Sequence, residues 1–280
     1  MKVLVDFINK ENIRTDVDYL IGIDGFSYNI LYKYSLNEVL EIINLLHSKN
    51  IVCGVNLEKI MFDQDLENLR KVLVDLKNLN VDFITYSDLG VYQLIKELNL
   101  NINTIYHAST LITNYHDIEL MLLENSNVIL GKEISYEELK HIDSKLSRKT
   151  YIDAFGKFPI FYSRRNLIST YFEFRGISDN PKDLDYTLIE EFRNEEYPIT
   201  ELDSFTVYDT AFYCLGNELQ ELNNIEKVYL SSNFIDIDTY NKVIDIYLNG
   251  VNIDESVSNL VEIYKGKLTE KTILIKGGNN

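Results

Sequence analysis

Short apolar runs alternate with amphipathic segments from the start of the chain. The runs are rich in Val, Ile, Tyr and Phe, which is typical of strands covered on both faces. Between them, apolar residues recur at helical spacing, and Ser35 followed by Glu38 has the spacing of a capping box at a helix start. The predicted strands are residues 2–7, 19–23, 51–56, 81–86, 103–107, 128–130, 150–153 and 227–230.

This alternation predicts parallel strands joined by crossover helices. Seven predicted strands end by residue 153, and an eighth at 227–230 precedes a helical stretch at 239–248, which favours a closed barrel over an open sheet. No glycine-rich phosphate turn follows the first strand, which argues against a dinucleotide-binding sheet. We expect an α/β protein with a (βα)8 TIM-like barrel, in which the alternation of strands and helices can be irregular. The predicted domain covers residues 1–264, with an insertion at about 156–226 between the seventh and last strands and a tail at 265–280.

The net charge and the number of cysteines limit the classes of function that suit this chain. The net charge is −17, from 44 acidic and 27 basic residues, whereas a protein that grips RNA alone normally has a basic face. An RNA-related role therefore needs a partner or a local basic patch. The two cysteines, Cys53 and Cys214, are too few for a four-thiolate cluster. No apolar run reaches the roughly 18 residues of a membrane span and no signal-like start is present, so we expect a cytoplasmic protein without membrane association.

Candidate chemistry is expected at the C-terminal ends of the barrel strands. His107 closes the fifth predicted strand, where it is either a base, ligand or substrate-binding group, or simply bonded to a nearby carbonyl. The HxH, HExxH, CxxC and GxSxG motifs are absent, so nothing recommends a metal site or a serine triad. The positions selected by this rule are Asp24, Asn56, Ser87, Asp88, His107, Glu133 and the segment after Asp153.

An unusual polar and aromatic stretch begins the predicted insertion. Tyr162, Ser163, Arg164 and Arg165 are consecutive and have several aromatic residues around them. Adjacent arginines can hold a carboxylate or phosphate, and arginine with exposed aromatics can clamp an unpaired base. Ion pairs to the many acidic side chains explain the two arginines equally well, and core packing explains a run of aromatic residues more often than base stacking does.

Three stretches of the chain resemble the collagenase-like peptidase family, U32. Residues 153–176 are similar to its signature region, in which a strand ending in Gly leads into a Tyr-Ser-x-x-Cys segment. Residues 107–114 resemble its His-x-Ser-Thr…Asn element. Residues 129–138 resemble its Leu-x-Arg-Glu-Leu-Ser-x-Glu-Glu element, with Lys132 in place of the Arg. The stretches lie in family order, and together they carry the resemblance.

Residues 163–176 resemble one branch in particular, the cysteine-less accessory paralogue of bacterial prephenate-dependent tRNA uridine 5-hydroxylases. These hydroxylases occur as two neighbouring paralogues, and the other paralogue keeps the cysteines of an iron–sulfur cluster. Asn166 stands where cluster-bearing relatives have their first cysteine. Tyr229 to Ser232 also lack the Lys and the acid of the family's last-strand motif. Both departures suit an accessory subunit better than a lone catalyst.

The resemblance implies a subunit of a tRNA wobble-uridine 5-hydroxylation system. It would form a heterodimer with a cysteine-bearing paralogue, which holds the iron–sulfur cluster, and would meet tRNA through that complex. No cofactor is expected in this chain, and prephenate is a candidate co-substrate. A collagenase-like peptidase and a non-catalytic barrel scaffold remain as alternatives. The candidate residues are His107, Glu133 and Ser163 for catalysis, and Arg164, Arg165, Tyr162 and Asn114 for substrate binding.

Overall fold

The computed structural model describes residues 2–108, 112–192 and 195–269. Its body is a closed barrel of parallel strands with helices between them, so the (βα)8 TIM-like prediction is confirmed. The strands are β1 (Lys2–Asp6), β2 (Asp18–Ile23), β3 (Lys33–Tyr34), β4 (Cys53–Leu57), β5 (Phe83–Tyr86), β6 (Thr104–Tyr106), β7 (Asn127–Leu130), β8 (Thr150–Gly156), β9 (Pro159–Ser163), β10 (Thr187–Glu190), β11 (Glu195–Glu201), β12 (Phe205–Tyr208), β13 (Phe212–Cys214), β14 (Ile225–Leu230) and β15 (Ile263–Tyr264). The helices are α1 (Leu36–Ser48), α2 (Leu66–Asn78), α3 (Leu89–Glu97), α4 (Tyr115–Glu124), α5 (Tyr136–Asp143), α6 (Leu167–Arg175), α7 (Ile237–Asn249) and α8 (Ile253–Ser258).

The barrel strands follow the order β1, β2, β4, β5, β6, β7, β8 and β14. Strand β14 closes the barrel because it pairs in parallel with both β1 and β8. Each of the eight predicted strands overlaps one of these strands. The barrel departs from an ideal one between β1 and β2, where the described chain has a 3-10 helix at Lys10–Asn12 and no α-helix.

The crossover helices pack on the barrel through the apolar residues that recur at helical spacing in the sequence. Helix α1 starts at the predicted capping box, in which the Ser35 side chain accepts a hydrogen bond from Glu38 N and the Glu38 carboxylate accepts one from Ser35 N. Its Val39, Ile43 and Leu46 side chains are fully buried against the barrel. Burying a side chain of this size stabilises the fold by about 1.5–3 kcal/mol.

The barrel interior changes from apolar to polar towards the C-terminal ends of its strands. Lower down, the ring of Phe83 fills the space beside Gly54, where a Cβ atom would lie 2.2 Å from that ring. Higher up, strand register places Asn56 beside Thr85 and Asp153 beside Tyr229. Because side chains alternate along a strand, residues in one register row share a face of the sheet. The upper interior is therefore a polar layer inside an otherwise apolar barrel.

Residues between β8 and β14 build a small second layer. Strands β10, β11, β12 and β9 form an antiparallel sheet in that order. Helix α6 packs on this sheet through Ile168 and Phe172, which meet Phe205 and Val207 in a separate apolar cluster. Strand β13 then returns to the barrel and pairs antiparallel with β8.

This insertion sits over the C-terminal end of the barrel. Lys33 Nζ lies 2.5 Å from Asp203 Oδ2, and the rings of Tyr28 and Tyr162 meet edge to face at 5.2 Å. The ring of Tyr208 packs against Phe234, whose φ of 61° is unusual for a residue with a bulky side chain. Contacts from several loops therefore cover the barrel end that normally carries function. In the part of the chain that the structure describes, no helix is long and apolar enough to cross a membrane.

Candidate functional site

His107 is the centre of a buried charged cluster at the top of the barrel interior. It follows β6 directly, and its side chain is 1% exposed. Its Nδ1 atom lies 3.0 Å from Glu58 Oε1. On the other side, its Nε2 atom lies 3.2 Å from Oδ1 and 3.3 Å from Oδ2 of Asp153, and the geometry directs its hydrogen bond to Oδ2. The imidazole is thus held between two carboxylates, Asp153 on β8 and Glu58 in the loop after β4.

This arrangement keeps His107 protonated. Burial alone lowers the pKa of His107, but the negative charges of Glu58 and Asp153 outweigh it, so its pKa is raised well above the ordinary value. The imidazolium donates through both ring nitrogens and has no free lone pair. A histidine held in this way can stabilise negative charge nearby, but it cannot accept a proton from a substrate without first breaking an ion pair.

A third carboxylate, Asp6, extends the cluster at the end of β1. Its Oδ1 atom accepts a hydrogen bond from Tyr229 OH at 2.7 Å, and its Oδ2 atom accepts bonds from Ser232 N at 2.7 Å and Ser232 Oγ at 2.9 Å. Burial raises the pKa of Asp6 to about 6, although these hydrogen bonds act in the opposite direction. The ring of Tyr229 in turn meets that of His107 at 5.9 Å. We call Asp6, Glu58, His107, Asp153 and Tyr229 the polar centre.

The polar centre is closed off from solvent. Each of its five residues is at most 2% exposed. The ring of Phe158, at the start of the insertion, packs 6.5 Å from the ring of Tyr229. Gly156 lies against the loop after β14 in a conformation with φ of 145°, and a Cβ atom there would be 2.6 Å from Ser231 Cβ. Only glycine allows β8 to approach the loop after β14 this closely, so the backbone itself helps to close the polar centre.

Unpartnered polar atoms remain inside this closed region. In the described chain, Thr85 Oγ1 and Asp153 Oδ1 are buried without a hydrogen-bond partner. Buried polar atoms are usually satisfied, and exceptions tend to mark functional positions or bound water. Chemistry at the polar centre would nevertheless require the insertion or its loops to move away first.

A second buried ion pair joins the insertion to the barrel. Lys132, after β7, places its Nζ atom 2.6 Å from Asp209 Oδ1 and 2.9 Å from Tyr264 OH. Asp209 Oδ2 also accepts a hydrogen bond from Phe158 N at 3.1 Å. Lys132 and Asp209 are both nearly buried. The Lys132 position, noted in the sequence only as a replacement for an arginine, is therefore a link between the barrel and the insertion.

The predicted substrate-binding residues of the insertion lie away from the polar centre. Tyr162 is half-buried on β9, whereas Arg164 and Arg165 are exposed. The guanidinium of Arg164 lies over the ring of Phe62 at 4.1 Å from its centroid. Ser163 Oγ accepts a hydrogen bond from Arg165 N, and within the described chain no imidazole or carboxylate is hydrogen-bonded to that hydroxyl. The geometry thus gives no support to Ser163 as an activated nucleophile.

The remaining predicted residues have identifiable structural settings. Asn114 caps α4: its side chain accepts a hydrogen bond from Asp117 N and donates one to the Asp117 carboxylate. Glu133 is half-buried, and its negative charge is one of the smaller contributions that raise the pKa of Tyr213 and of Tyr264, after burial itself. Neither residue joins the polar centre. Residues 109–111 of the His-x-Ser-Thr element lie outside the described residues.

Of the other strand-end positions selected from the sequence, some support residues of the polar centre and some have unrelated structural roles. Asn56 Oδ1 accepts hydrogen bonds from Tyr28 N and Glu58 N, so it shapes the loop that carries Glu58. Ser87 Oγ donates to His107 O at 2.6 Å, and Asp88 caps α3 through Gly90 N. Asp24 is exposed. Two of these residues therefore position the polar centre rather than enter it.

Sequence reasoning missed Asp6, Glu58 and Tyr229, and it selected the segment after Asp153 without Asp153 itself. Asp6 ends β1 and Glu58 follows β4 directly, so both obey the strand-end rule that selected His107. Asp6 escaped notice because it falls inside the predicted strand 2–7, and Glu58 because Asn56 was taken as the functional end of its strand. Tyr229 carries no sequence signal, because an aromatic residue in an apolar strand looks like core.

The cysteines do not fit an iron–sulfur cluster. Cys53 on β4 and Cys214 on β13 are both buried, and these strands are not neighbours in the sheet. Burial raises the pKa of each thiol to about 12, which disfavours the thiolate form that binds metal. Two thiols also cannot supply the four ligands of such a cluster. Among the described residues, three potential metal-donor atoms lie within 4.8 Å of one another at His47, Cys53 and Asp82.

That group has a structural explanation. Asp82 Oδ2 lies 3.0 Å from His47 Nε2 and accepts a hydrogen bond from Cys53 N at 2.8 Å. The carboxylate thereby ties the end of α1 to the start of β4. This group lies at the N-terminal end of the barrel strands, where barrels of this type place stabilising residues.

Comparison with known proteins agrees with the barrel and its signature stretches. Residues 15–270 match Peptidase family U32, and the chain belongs to this family. It is 22% identical over 210 residues to the tRNA hydroxylation protein P2 of Bacillus subtilis, which covers 73% of this chain and 68% of that protein. It is 23% identical over 158 residues to an uncharacterised protease of Methanocaldococcus jannaschii, covering 53% of this chain and 38% of the archaeal protein.

The solved structure of the U32 peptidase Mk0906 has the same fold. Its TM-score to this chain is 0.52 at 12% sequence identity, and the match covers 82% of this chain and 92% of that one. At this identity the similarity bears on the fold alone. Together, family and relatives support a role in tRNA modification or in the peptidase class.

Proposed function

We propose that this chain is a subunit of a tRNA wobble-uridine 5-hydroxylation system, in which it acts beside a cysteine-bearing paralogue. The observation that carries the proposal is its similarity to a tRNA hydroxylation protein over 73% of its length. The two buried cysteines add to it, because a chain without cluster ligands needs another polypeptide for iron–sulfur chemistry. In this proposal the partner forms a heterodimer with the chain and supplies the cluster.

The closed polar centre supports an accessory role. His107 is the strongest catalytic candidate from the sequence, yet both of its ring nitrogens are held by carboxylates. The described barrel end is covered by the insertion, so a base of a tRNA cannot reach His107 in this conformation. The polar centre would then serve to fix the strand ends and the insertion. Binding would take place on the outer surface of the insertion.

Exposed residues of the insertion are the proposed contacts to substrate. Arg164 and Arg165 would hold an RNA phosphate or the carboxylate of prephenate, with Tyr162 at their side. Guanidinium groups suit both ligands because they form paired, charge-assisted hydrogen bonds with them. Asn114 drops out of the proposed contacts, since its side chain is already engaged with Asp117.

A peptidase function is the second candidate, because the family and one relative carry that description. Peptide hydrolysis requires an activated nucleophile or a metal-bound water. Ser163 has no adjacent base in the described chain, and His107 is inaccessible. The geometry therefore favours the tRNA-related role over proteolysis.

Mass spectrometry of nucleosides from digested tRNA tests the proposal. Cells lacking this gene should lose 5-hydroxyuridine and its derivatives, and the wild-type gene should restore them. A gene carrying Arg164→Gln and Arg165→Gln should fail to restore them while producing a folded protein. Tagged wild-type protein should co-purify with an iron-containing homologue. An unchanged nucleoside profile in the deletion strain would remove tRNA hydroxylation and make casein and denatured-collagen cleavage the next assays.

A further inference from the structure

The arginines of the insertion differ from those of the barrel. Each described barrel arginine is engaged: Arg14 pairs with Asp16 and Asp245, Arg70 with Glu97, and Arg148 donates to backbone carbonyls. By contrast, Arg164, Arg165 and Arg175 are exposed and form no ion pair with any residue that the structure describes. In a chain with 44 acidic residues, such isolation is unexpected for a surface that serves only solubility.

Exposed aromatic side chains accompany these arginines. Tyr171 and Phe174 on α6 are 53% and 84% exposed. They lie three residues apart, and Arg175 follows at the next helical position, so all three point to one side of the helix. The Arg175 guanidinium lies 6.0 Å from the ring centroid of Tyr171. The adjoining side of the helix carries the buried Ile168 and Phe172.

The local charge is opposite to that of the whole chain. Residues 157–176 contain four basic residues and one acidic residue, a net charge of +3 in a protein whose net charge is −17. We call Arg164, Arg165, Tyr171, Phe174 and Arg175 the arginine–aromatic face. It combines two cations in the loop before α6 and one in the last turn of that helix with flat aromatic rings that water solvates poorly. Unpaired nucleotides present the complementary features, namely phosphates and stacking surfaces.

We propose that the arginine–aromatic face docks a single-stranded RNA loop. The arginines would contact successive phosphates, and Tyr171 and Phe174 would stack on splayed bases. This inference rests on the proposed function and extends it, because it assigns RNA contact to α6 and the residues before it and leaves the barrel mouth out of RNA binding. A regular duplex would engage the arginines but would offer no unstacked base to the two rings.

Binding measurements on the full-length chain test the charge component. Fluorescence anisotropy would compare a labelled anticodon stem–loop with a blunt duplex of equal length, over a range of salt concentrations. The variant R164Q/R165Q/R175Q should bind the stem–loop roughly tenfold or more weakly, and its salt slope should fall by roughly 2, since each lost phosphate contact in a single strand removes about 0.7.

A matched control separates local contact from total charge. The variant K49Q/K71Q/K242Q removes the same charge from exposed barrel lysines that form no ion pair in the described chain. It should keep the wild-type salt slope. Equal losses in both triple variants would overturn the proposal, because they would show a general electrostatic effect and no specific face.

A second pair of variants tests stacking without any change in charge. Y171A/F174A should weaken stem–loop binding by roughly tenfold or more, since stacking on one aromatic ring contributes about 1–3 kcal/mol per base, and should leave duplex binding unchanged. L120A/L123A removes two exposed apolar side chains from α4 and should bind both RNAs like wild type. Circular dichroism would confirm that all variants fold. A Y171A/F174A protein with an unchanged stem–loop preference would overturn the stacking role.

Three further outcomes show what binds to the arginine–aromatic face and whether the proposed modification is correct. If the arginine variant binds RNA normally but no longer associates with the cysteine-bearing homologue, the face is a protein interface and the proposal is wrong. Lack of RNA binding by the wild-type chain, both alone and in complex with that homologue, also overturns it. If face-dependent loop binding is found while gene deletion leaves wobble uridines unchanged, the RNA contact stands and the assigned modification fails.

Discussion

At the residue scale, the polar centre is built around one buried cation, His107, which neutralises two buried carboxylates. His107 carries the positive charge between Glu58 and Asp153, and Asp6 lies nearby with a pKa raised to about 6 by burial. Removing one partner of a buried ion pair usually costs more than the pair contributes, since the remaining charge stays desolvated. Each member of this cluster therefore has a distinct and measurable effect on stability.

Replacing His107 should destabilise the protein strongly. His107→Gln leaves Glu58 and Asp153 buried without a cation, and we expect the free energy of unfolding at neutral pH to fall by about 3–5 kcal/mol. Urea unfolding followed by circular dichroism would measure it. His116→Gln, at an exposed histidine on α4, should change stability by less than about 0.5 kcal/mol. A His107→Gln loss as small as that of the control would show that the cluster holds no imidazolium.

Asp6 should make stability depend on pH in a defined window. A carboxyl group with a raised pKa binds its proton more tightly in the folded state, so its contribution is most favourable below its usual pKa of 3.8 and is lost as the pH rises through about 6. The shift corresponds to about 3 kcal/mol. Asp6→Asn removes this titration, so the stability of the variant relative to wild type should rise by about that amount between pH 4 and pH 7.

The difference between the two proteins is the quantity to follow, because other carboxylates titrate equally in both. Any constant effect of the amide on the hydrogen bonds with Tyr229 and Ser232 shifts the difference by the same amount at every pH. A difference that stays flat from pH 4 to pH 7 would contradict a raised pKa at Asp6.

At the element scale, the barrel could be predicted from sequence because its signal is local. Each barrel strand is an apolar run, and the Ser35–Glu38 capping box marks the start of α1 within four residues. The site could be predicted only in part. The ion pairs of His107 join residues 49 and 46 positions away, and a single sequence carries no information on which distant residues meet. The strand-end rule found His107 but could not pair it with Glu58 and Asp153.

The ion pair that links the barrel to the insertion also joins residues that are distant in sequence, and its contribution to the structure can be tested. Lys132 and Asp209 are 77 positions apart in sequence. Lys132→Met keeps the apolar stem of the side chain but leaves Asp209 buried and unpaired, so we expect β12 and β13 to loosen. Amide hydrogen exchange in residues 205–214 should become markedly faster, while exchange in β4 and β5 stays close to wild type.

A compensating variant makes this prediction specific. Adding Asp209→Asn to Lys132→Met removes the unpaired charge, and exchange in residues 205–214 should return most of the way to wild type. If the double variant exchanges as fast as Lys132→Met alone, the loosening comes from lost packing, and the charge pair does not hold the insertion in place.

At the scale of the whole molecule, two surfaces with different roles emerge. The C-terminal end of the barrel, where enzymes of this fold keep their active sites, is closed by the insertion and by the loop after β14. The outer side of that insertion carries exposed arginines and aromatic rings. The fold thus turns the usual functional end of a barrel into a platform that presents another surface, which agrees with an accessory subunit.

Hydrogen exchange can distinguish a permanently closed barrel from one with a lid. The amide of His107 donates to Tyr86 O, and that of Ser231 donates to Phe155 O, both beneath the insertion. In a permanently closed barrel these amides exchange only through global unfolding, so their exchange free energies should equal that of unfolding and fall with urea at the same slope. A lid would instead give lower free energies with little urea dependence. That second result would reopen His107 as a catalytic residue, whereas the first confines substrate contact to the outside of the insertion.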